Sequence, residues 1–434
     1  RLGGNVSLTI RSGKFGRVFG GNKESGKLMG SITVNIEETG SCDVPIIIGE
    51  LYGGGYEADY SVYGYGNDGK PRTAEQLRSA IVTEYGSSTD PDIIDEIFES
   101  RKYNEPQLNV HAFTSIGAIY GGGLEAKVYG DPNIDINVIK GSHAAEAISA
   151  GNYTKETTTL PYPAHAAGEI GAIGNVFGGG NLANVYGNTS INIGTATTID
   201  MVTAPNEGTY TGTYTYNQTN HLHEGVGVLG AKITGNIYGG GTDADIVGNT
   251  LINIGTVDLT GTGMSGTTVA GNIFGGGFGA NTTVTGNVQV NIGAKVSGNP
   301  VGYATIGGDV YGGSAFGAVN ATKGANYDNN HNDIAATTDK TTQVNIYGGS
   351  ITGSVFGGGE GQTSPSNIVA QSFGDATVNM EGGTVGTAVY GGSNVNGVLR
   401  ANATVTITGG TVGTDPHGGT IQNVVFGGGK GQPT

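Results

Sequence analysis

Residues 175–180 read Asn-Val-Phe-Gly-Gly-Gly, and residues 187–194 read Gly-Asn-Thr-Ser-Ile-Asn-Ile-Gly. The first phrase contains one copy of the pentad [VIL]-[FY]-G-G-[GSN], which occurs ten times along the chain. Its aromatic residue falls at Phe19, Tyr52, Tyr120, Phe177, Tyr238, Phe274, Tyr311, Phe356, Tyr390 and Phe426. Because a phrase that recurs over a whole chain is the signature of a repeat architecture, the sequence predicts stacked copies of one structural unit.

An alternating strand of the form V/I-x-V-N-I precedes each pentad. Its central polar residue falls at Thr9, Asn35, Asn109, Asn137, Asn192, Asn253, Asn291, Asn345, Asn379 and Thr406. Since successive side chains of a strand point to opposite faces, Ile32 and Val34 are predicted to face the core while Asn35 points outward. The pattern predicts a structural ladder of hydrogen-bonded Asn side chains, with a ligand-facing row as the alternative.

A third short strand is indicated seven residues before the polar position, at Leu28, Val185, Ile246, Val284 and Leu399. The shortest complete repeats are about 26–28 residues long. Because one such unit cannot bury its apolar stripe alone, the units must stack, with strands paired in parallel at ~4.8 Å. Crossovers between parallel strands are overwhelmingly right-handed. The sequence therefore predicts an all-β fold over residues 1–434, a right-handed parallel β-helix (β-solenoid) of about ten coils with three short strands each.

The glycines and the pentad aromatics are placed by the same alternation. Gly supplies 84 of the 434 residues, without the Gly-X-Y period of collagen. The pentad glycines are predicted to turn corners with positive φ, and Gly235, Gly271 and Gly308 to face a core too thin for a side chain. The aromatic residues are predicted to lie outside this core or at its corner as a self-stacking ladder, with a stacking platform for sugars or a partner rod as the alternative.

Long spacings between strand and pentad indicate insertions. The largest, residues 57–107, is predicted to be a helical hairpin, because Thr73 and Gln76 fit a capping box and Pro91 opens a second stretch of helical periodicity. Smaller loop or hairpin insertions are predicted at residues 140–170, 195–232 and 320–341. Within the second of these, the Thr- and Tyr-rich run 209–216 predicts a β-hairpin.

The acidic balance of the chain limits its partners. Lys and Arg number 20 against 36 Asp and Glu, a formal net charge of −16. Because this charge repels phosphate backbones and anionic lipid headgroups, nucleic acid is not an expected partner. No apolar run approaches the ~18 residues of a membrane span, so direct membrane insertion is not expected either. Cys42 is the lone cysteine and cannot form an intrachain disulfide.

No catalytic residue is predicted, and the chain is expected not to be an enzyme. The glycine runs lack the Gly-Lys-Ser/Thr of a phosphate-binding loop, and no histidine triad or carboxylate pair at a fixed separation can be nominated. The weak metal candidates are His221, His223, Asp243 and Asp245. The histidines have no third ligand nearby, and the aspartates have no tandem copy of their turn. No cofactor is therefore expected, with calcium at the aspartates as the minor alternative.

The phrases at 175–180 and 187–194 resemble the glycine-rich repeats of large bacterial cell-surface and secreted β-helix proteins, of the adhesin or filament kind. The resemblance covers nearly the whole chain outside the insertions. It implies an extracellular or cell-surface location, a longer parent chain, and contact with host or matrix glycans or proteins. The start Arg1-Leu2-Gly3-Gly4 has neither an initiator Met nor a signal-peptide core, as expected of a processed or excised segment.

These observations favour a structural or adhesive extracellular β-solenoid, a segment or subunit of a surface fibre or filament. Because the repeat runs to both ends of the sequence, end-to-end self-association or continuation into a longer parent chain is expected. Two alternatives stay open: a polysaccharide-binding or polysaccharide-degrading β-helix protein, and a phage tail fibre or spike. A spike would be an intertwined homotrimer, so a solution mass separates it from a monomeric rod or a filament.

Overall fold

The computed structural model describes residues 3–38, 43–103, 105–155, 158–202, 215–217, 222–259, 266–327, 332–413 and 424–431. These residues are mostly β-strand, and long parallel sheets run through them. The predicted all-β character is thereby confirmed. Cys42 lies outside the described residues.

Sheet A contains the alternating strands found in the sequence. It is a ten-stranded parallel sheet whose strands follow one another in chain order. The strands are Val6–Ile10, Ile32–Glu37, Gln107–Ala112, Asn133–Ile136, Thr189–Ile193, Thr250–Ile254, Val288–Ile292, Thr341–Ile346, Asp375–Met380 and Ala403–Ile407. Equivalent residues pair with each other, so that Ile252 lies between Ile191 and Val290.

Sheet B contains the pentad aromatics. It has 16 parallel strands, because a bend divides each copy from Gly230 onward into two short strands. The strands are Lys14–Phe19, Ile47–Tyr52, Ser115–Tyr120, Ala172–Phe177, Gly230–Ile233, Ile237–Tyr238, Gly266–Val269, Ile273–Phe274, Ala304–Ile306, Val310–Tyr311, Ser350–Ile351, Val355–Phe356, Thr384–Val385, Ala388–Tyr390, Thr411–Val412 and Val424–Phe426.

Sheet C is a row of short parallel strands at the third predicted position. Its strands are Tyr60–Ser61, Val128–Tyr129, Thr283–Val284, Ala318–Val319, Ala370–Ser372 and Gly397–Leu399. Single parallel bridges at Val185 and Ile246 connect Val128 to Val284. The chain therefore visits sheets A, B and C in the same order throughout the described repeats.

The core is built from the aliphatic side chains of all three sheets. In sheet A the residues Ile191 and Ile193 are fully buried, and the intervening Asn192 is only half-buried. From sheet B, Ile237 joins the same cluster, and Ile246 joins it from sheet C. Because each buried aliphatic side chain contributes about 1.5–3 kcal/mol, the alternation read from the sequence supplies the main stabilisation of the fold.

The pentad glycines serve close backbone approach rather than positive φ. None of the triplet Gly178, Gly179 and Gly180 has a positive φ, which corrects the expectation for these corners. A Cβ added at Gly178 would overlap the carbonyl oxygen of Gly239 in the next repeat, and one at Gly239 would overlap that of Gly275. Any side chain at these positions would push the stacked backbones apart.

The glycines before the pentads also lie differently from the prediction. A Cβ at Gly235 would meet the Gly174 carbonyl at 2.6 Å, and one at Gly308 would meet the Gly271 carbonyl at 2.6 Å. The preceding repeat, and not a thin core, therefore excludes side chains here. The expectation that Gly235, Gly271 and Gly308 face inward is replaced by a corner at which successive backbones touch.

Two helices occupy the largest insertion, at Ala74–Tyr85 (α1) and Pro91–Arg101 (α2). The capping box is present, since Thr73 Oγ1 accepts from the backbone N–H of Gln76 and the Gln76 side chain accepts from the N–H of Thr73. Both helices bury one face against the core cluster of the sheets. The buried residues of this face are Leu77, Ile81, Ile94 and Phe98.

The smaller insertions contain antiparallel strands. Their strands are Gly151–Lys155 with Thr158–Tyr162, Thr198–Met201 with Leu222–Gly227 and Thr215–Asn217, and Ala321–Lys323 with Ile334–Ala336. A further hairpin, Ala294–Val296 with Asn299–Val301, was not predicted. The predicted hairpin at 209–216 lies almost entirely outside the described residues.

Candidate functional site

The ten pentad aromatics form one continuous stack. Neighbouring rings from Phe19 to Phe426 are 4.7–5.1 Å apart between centroids and within 11° of parallel. The rings from Tyr52 to Tyr390 are at most 8% exposed, so they are buried although they lie apart from the aliphatic core. Since neighbouring rings occupy both faces of each interior ring, a sugar has no ring face on which to stack.

The hydroxyl groups of buried tyrosines in this stack have hydrogen-bond partners. Asn181 Nδ2 donates to the Tyr52 hydroxyl at 3.1 Å, and Asn394 Nδ2 donates to the Tyr311 hydroxyl at 2.8 Å. Each donor follows the pentad that lies two repeats further along the chain. Because these hydroxyls are satisfied, Tyr is tolerated in a row that Phe also fills.

The polar row of sheet A is a hydrogen-bonded ladder with one direction. From Asn109 onward, each amide Nδ2 donates to a side-chain Oδ1 of the preceding repeat. The bonds are Asn109 to Asn35 (2.8 Å), Asn253 to Asn192 (2.9 Å), Asn291 to Asn253 (2.8 Å), Asn345 to Asn291 (2.8 Å) and Asn379 to Asn345 (3.0 Å). The amides therefore satisfy one another along the row.

Asp135, and not Asn137, occupies the fourth position of this row. It lies opposite both Asn109 and Asn192 in the sheet. A carboxylate has no N–H to donate, and Gln107 Nε2 compensates by donating to Asn109 Oδ1 at 2.9 Å and to Asp135 Oδ2 at 2.8 Å. Asn137 instead lies past the strand end, where its Oδ1 accepts the backbone N–H groups of residues 195 and 196 at 2.9 and 3.0 Å.

Two further polar rows lie at the corners and were missed by the sequence reasoning. In one, Asn236 N–H donates to Asn175 Oδ1 at 2.8 Å and Asn272 N–H donates to Asn236 Oδ1 at 2.7 Å. In the other, Asn249 N–H donates to Asn188 Oδ1 at 2.9 Å. The recurrent Gly-Asn dipeptide is the signal that could have revealed both rows.

Of the weak metal candidates, only the two aspartates have side chains within the described part of the structure. His221 and the side chain of His223 lie outside the described part of the structure. Asp245 Oδ1 accepts from Lys323 Nζ at 2.6 Å and from the Thr283 hydroxyl at 2.8 Å, so its charge is compensated by the protein. Asp243 has a left-handed backbone with φ of 48°. Within the described residues, no three His, Cys, Asp or Glu side chains are arranged to hold a metal ion.

No protein-family model, curated protein or solved structure matches the chain. Neither helix of the described residues is long and apolar enough to cross a membrane. The resemblance to bacterial surface repeats, the extracellular location and the partners therefore stay predictions.

Two fully buried carboxylates, Glu37 and Glu38, connect insertions to sheet A. Glu38 accepts from the Thr114 hydroxyl at 2.9 Å and from the His143 N–H at 3.0 Å. Glu37 accepts from the Val202 N–H at 3.0 Å. These bonds satisfy carboxylate oxygens that would otherwise be costly to bury, and they attach the loops around residues 143 and 202 to the sheet.

Two carboxylates, Asp309 and Glu360, lie near the hydroxyl group of Tyr311 in the aromatic stack. The Tyr311 hydroxyl donates to Asp309 Oδ2 at 3.0 Å, and Asp309 Oδ1 accepts the Ser354 N–H at 2.6 Å. Burial and the nearby Asp309 carboxylate raise the pKa of Glu360 to about 7. Glu360 therefore changes charge near neutral pH.

The variant Glu360→Gln is expected to flatten the pH dependence of stability. Because the folded pKa of Glu360 lies above its ordinary value of 4.5, its protonated form stabilises the fold, and this contribution is lost as pH rises through about 7. Gln stays neutral at every pH. The free energy of unfolding of the variant should therefore exceed that of the parent by about 1–2 kcal/mol at pH 8 and by almost nothing at pH 5. Urea unfolding across this range measures the difference, with the exposed Glu125→Gln as control. Parallel profiles for the parent and Glu360→Gln would contradict this assignment.

A groove lies where the hairpin Gly151–Tyr162 crosses the first strand of sheet B. This hairpin groove has a volume of about 550 Å³. The side chains lining it include Lys14, Arg17, Tyr56, Tyr153, Thr158 and Leu160. It combines aromatic rings and cations drawn from three distant parts of the sequence, so no local pattern could have indicated it.

Proposed function

We propose that the chain is a non-catalytic structural and adhesive element, a segment or subunit of an extracellular surface fibre or filament. In this proposal the three sheets close into a right-handed β-helix of about ten coils. The observation that carries it is the unbroken aromatic stack from Phe19 to Phe426, which runs through the same repeats as the one-directional amide ladder. Both rows are axial, as a rod-like support requires.

The use made of the outward side chains supports a structural role over a catalytic one. A β-helix enzyme needs free polar groups on an outer strand face to contact its substrate. Here the polar groups of sheet A bond to the next repeat, as Asn253 and Asn291 do, and the aromatic rings are enclosed. The net charge of −16 also opposes side-by-side aggregation, which suits axial assembly.

Solution scattering and sedimentation of the purified chain test this proposal. Ten strands stacked at ~4.8 Å give an axis roughly 48 Å long. We expect a monomer of that length, or strings of constant cross-section that lengthen with concentration. Surface labelling of the native source with an antibody should place the protein outside the cell. An intertwined trimer would favour a spike instead, and a cytoplasmic label would contradict the location.

A further inference from the structure

The hairpin groove owes its shape to a docked insertion. Tyr153 of the hairpin lies on the backbone of Gly16, where any larger residue would collide with the ring. Leu160 lies in the same way against Gly49 in the next repeat, 2.8 Å from an added Cβ. Two glycines in successive repeats thus accept the hairpin, which leaves the Tyr153 ring 38% exposed at the groove.

The charge of the groove is opposite to that of the chain. Lys14 is exposed and forms no ion pair with any residue that the structure describes. Arg17 donates through Nε to Glu50 at 2.7 Å, and Glu50 also accepts from the Tyr52 hydroxyl at 2.9 Å. This ion pair holds the guanidinium in place at the groove. The groove therefore presents the Lys14 cation and an Arg17 guanidinium whose charge Glu50 compensates, on a molecule whose net charge is −16.

We propose that the hairpin groove binds an acidic saccharide, a sugar that carries a carboxylate. Lys14 and Arg17 would bind the carboxylate, because charge-assisted hydrogen bonds to carboxylates are among the strongest polar contacts. The Tyr153 and Tyr56 rings and Leu160 would cover the apolar face of the sugar ring. The Thr158 hydroxyl can donate to or accept from a sugar hydroxyl.

The groove chemistry favours a sugar over an acidic peptide. A peptide strand would need a row of backbone partners, whereas the groove presents side chains of three chain segments and rings suited to a flat ligand. The volume of about 550 Å³ falls in the range of small-molecule sites. This inference rests on the proposed adhesive function and supplies its ligand class.

Calorimetric titration with trigalacturonate, and with maltotriose as the neutral probe, tests the inference. We expect the acidic trisaccharide to bind at least ~10-fold more tightly than the neutral one, with affinity that falls as salt rises. Lys14→Gln and Tyr153→Ala should each weaken binding about 10-fold or more, while Tyr153→Phe should bind like the parent. The exposed Lys127→Gln lies outside the groove and serves as the charge-matched control.

Three outcomes would overturn the groove assignment. These are equal affinity for both trisaccharides, an effect of Lys127→Gln as large as that of Lys14→Gln, and tighter binding of a poly-glutamate peptide than of trigalacturonate. Unchanged melting temperatures of the variants separate lost binding from lost folding. If no saccharide binds but solution scattering shows the expected rod, only the groove assignment is rejected. If the saccharide binds but the particle is compact or trimeric, the proposed rod is rejected and the groove assignment is kept.

Discussion

The variant Phe356→Ala is expected to lower the free energy of unfolding by about 3–5 kcal/mol. Phe356 is fully buried, and its ring stacks on Tyr311 at 4.9 Å and on Tyr390 at 4.8 Å. Because the parallel strands hold both neighbouring rings at fixed spacing, they cannot close over the space left by the missing ring. The measured loss of stability should therefore include both the full cost of the cavity and the lost stacking energy.

Phe278→Ala is the matched control for this loss. Phe278 undergoes the same chemical change but is 38% exposed and meets Tyr238 edge-on at 5.4 Å. Phe278→Ala should lower the free energy of unfolding by only about 1 kcal/mol. Urea unfolding followed by circular dichroism compares the two, and hydrogen exchange should show the loss of protection near Phe356 first. Equal costs for the two variants would mean that the aromatic stack does not stabilise the fold.

The variant Gly239→Ala is expected to lower the free energy of unfolding by about 3 kcal/mol or more, although it adds a single methyl group. Its Cβ would overlap the carbonyl oxygen of Gly275, a backbone atom that cannot rotate away. Moving the strands apart would break the bonds on either side, from Gly239 N–H to Phe274 O at 2.9 Å and from Gly240 N–H to Gly276 O at 3.1 Å. Both the steric overlap and the separation of the strands would therefore destabilise the stack.

Gly4→Ala provides the control for this steric effect. No heavy atom lies within 4 Å of a Cβ added at Gly4, and its φ is not positive. The substitution should change stability by less than about 0.5 kcal/mol. Thermal melting of both variants decides the point, since a Gly239→Ala protein that melts with the parent would show that the repeats can separate without loss.

The repeat itself could be predicted because two periodicities agree along the sequence. The alternation in Thr189–Ile193 predicts a strand with one buried face, and the pentad ending in Gly178-Gly179-Gly180 marks where the preceding strand must stop. Stacking one such unit on another determines parallel pairing in equivalent register. The long parallel sheets confirm this part of the prediction.

The assignment of Asn137 to the polar row failed for a physical reason. The run Ile134-Asp135-Ile136-Asn137-Val138 keeps its alternation through both polar residues. A shift of one residue would turn the strand inside out, but a shift of two leaves every side chain on the same face. Sequence alternation therefore cannot choose between Asp135 and Asn137, and the end of the strand at Ile136 decides it.

Glycine was misread because the sequence does not reveal why a side chain is excluded. A positive φ, a thin core and a close backbone all demand the same residue. At Gly178 and Gly235 only the neighbouring repeat distinguishes these causes. The hairpin groove was unpredictable for a similar reason, because its members Lys14, Tyr56 and Tyr153 meet only after an insertion docks.

The uniform register of sheet A has a consequence for how such a chain can evolve. Thr250 pairs with Thr189 on one side and with Val288 on the other, and Asn253 donates to Asn192 just as Asn291 donates to Asn253. If a gene gains or loses the segment between two equivalent residues, the repeats that become neighbours still pair through the same kinds of side chain. Unequal recombination can then change length in whole units, and natural variants of this chain should differ by entire repeats while insertions vary independently. Variants whose lengths differ by fractions of a repeat within the sheets would contradict that history.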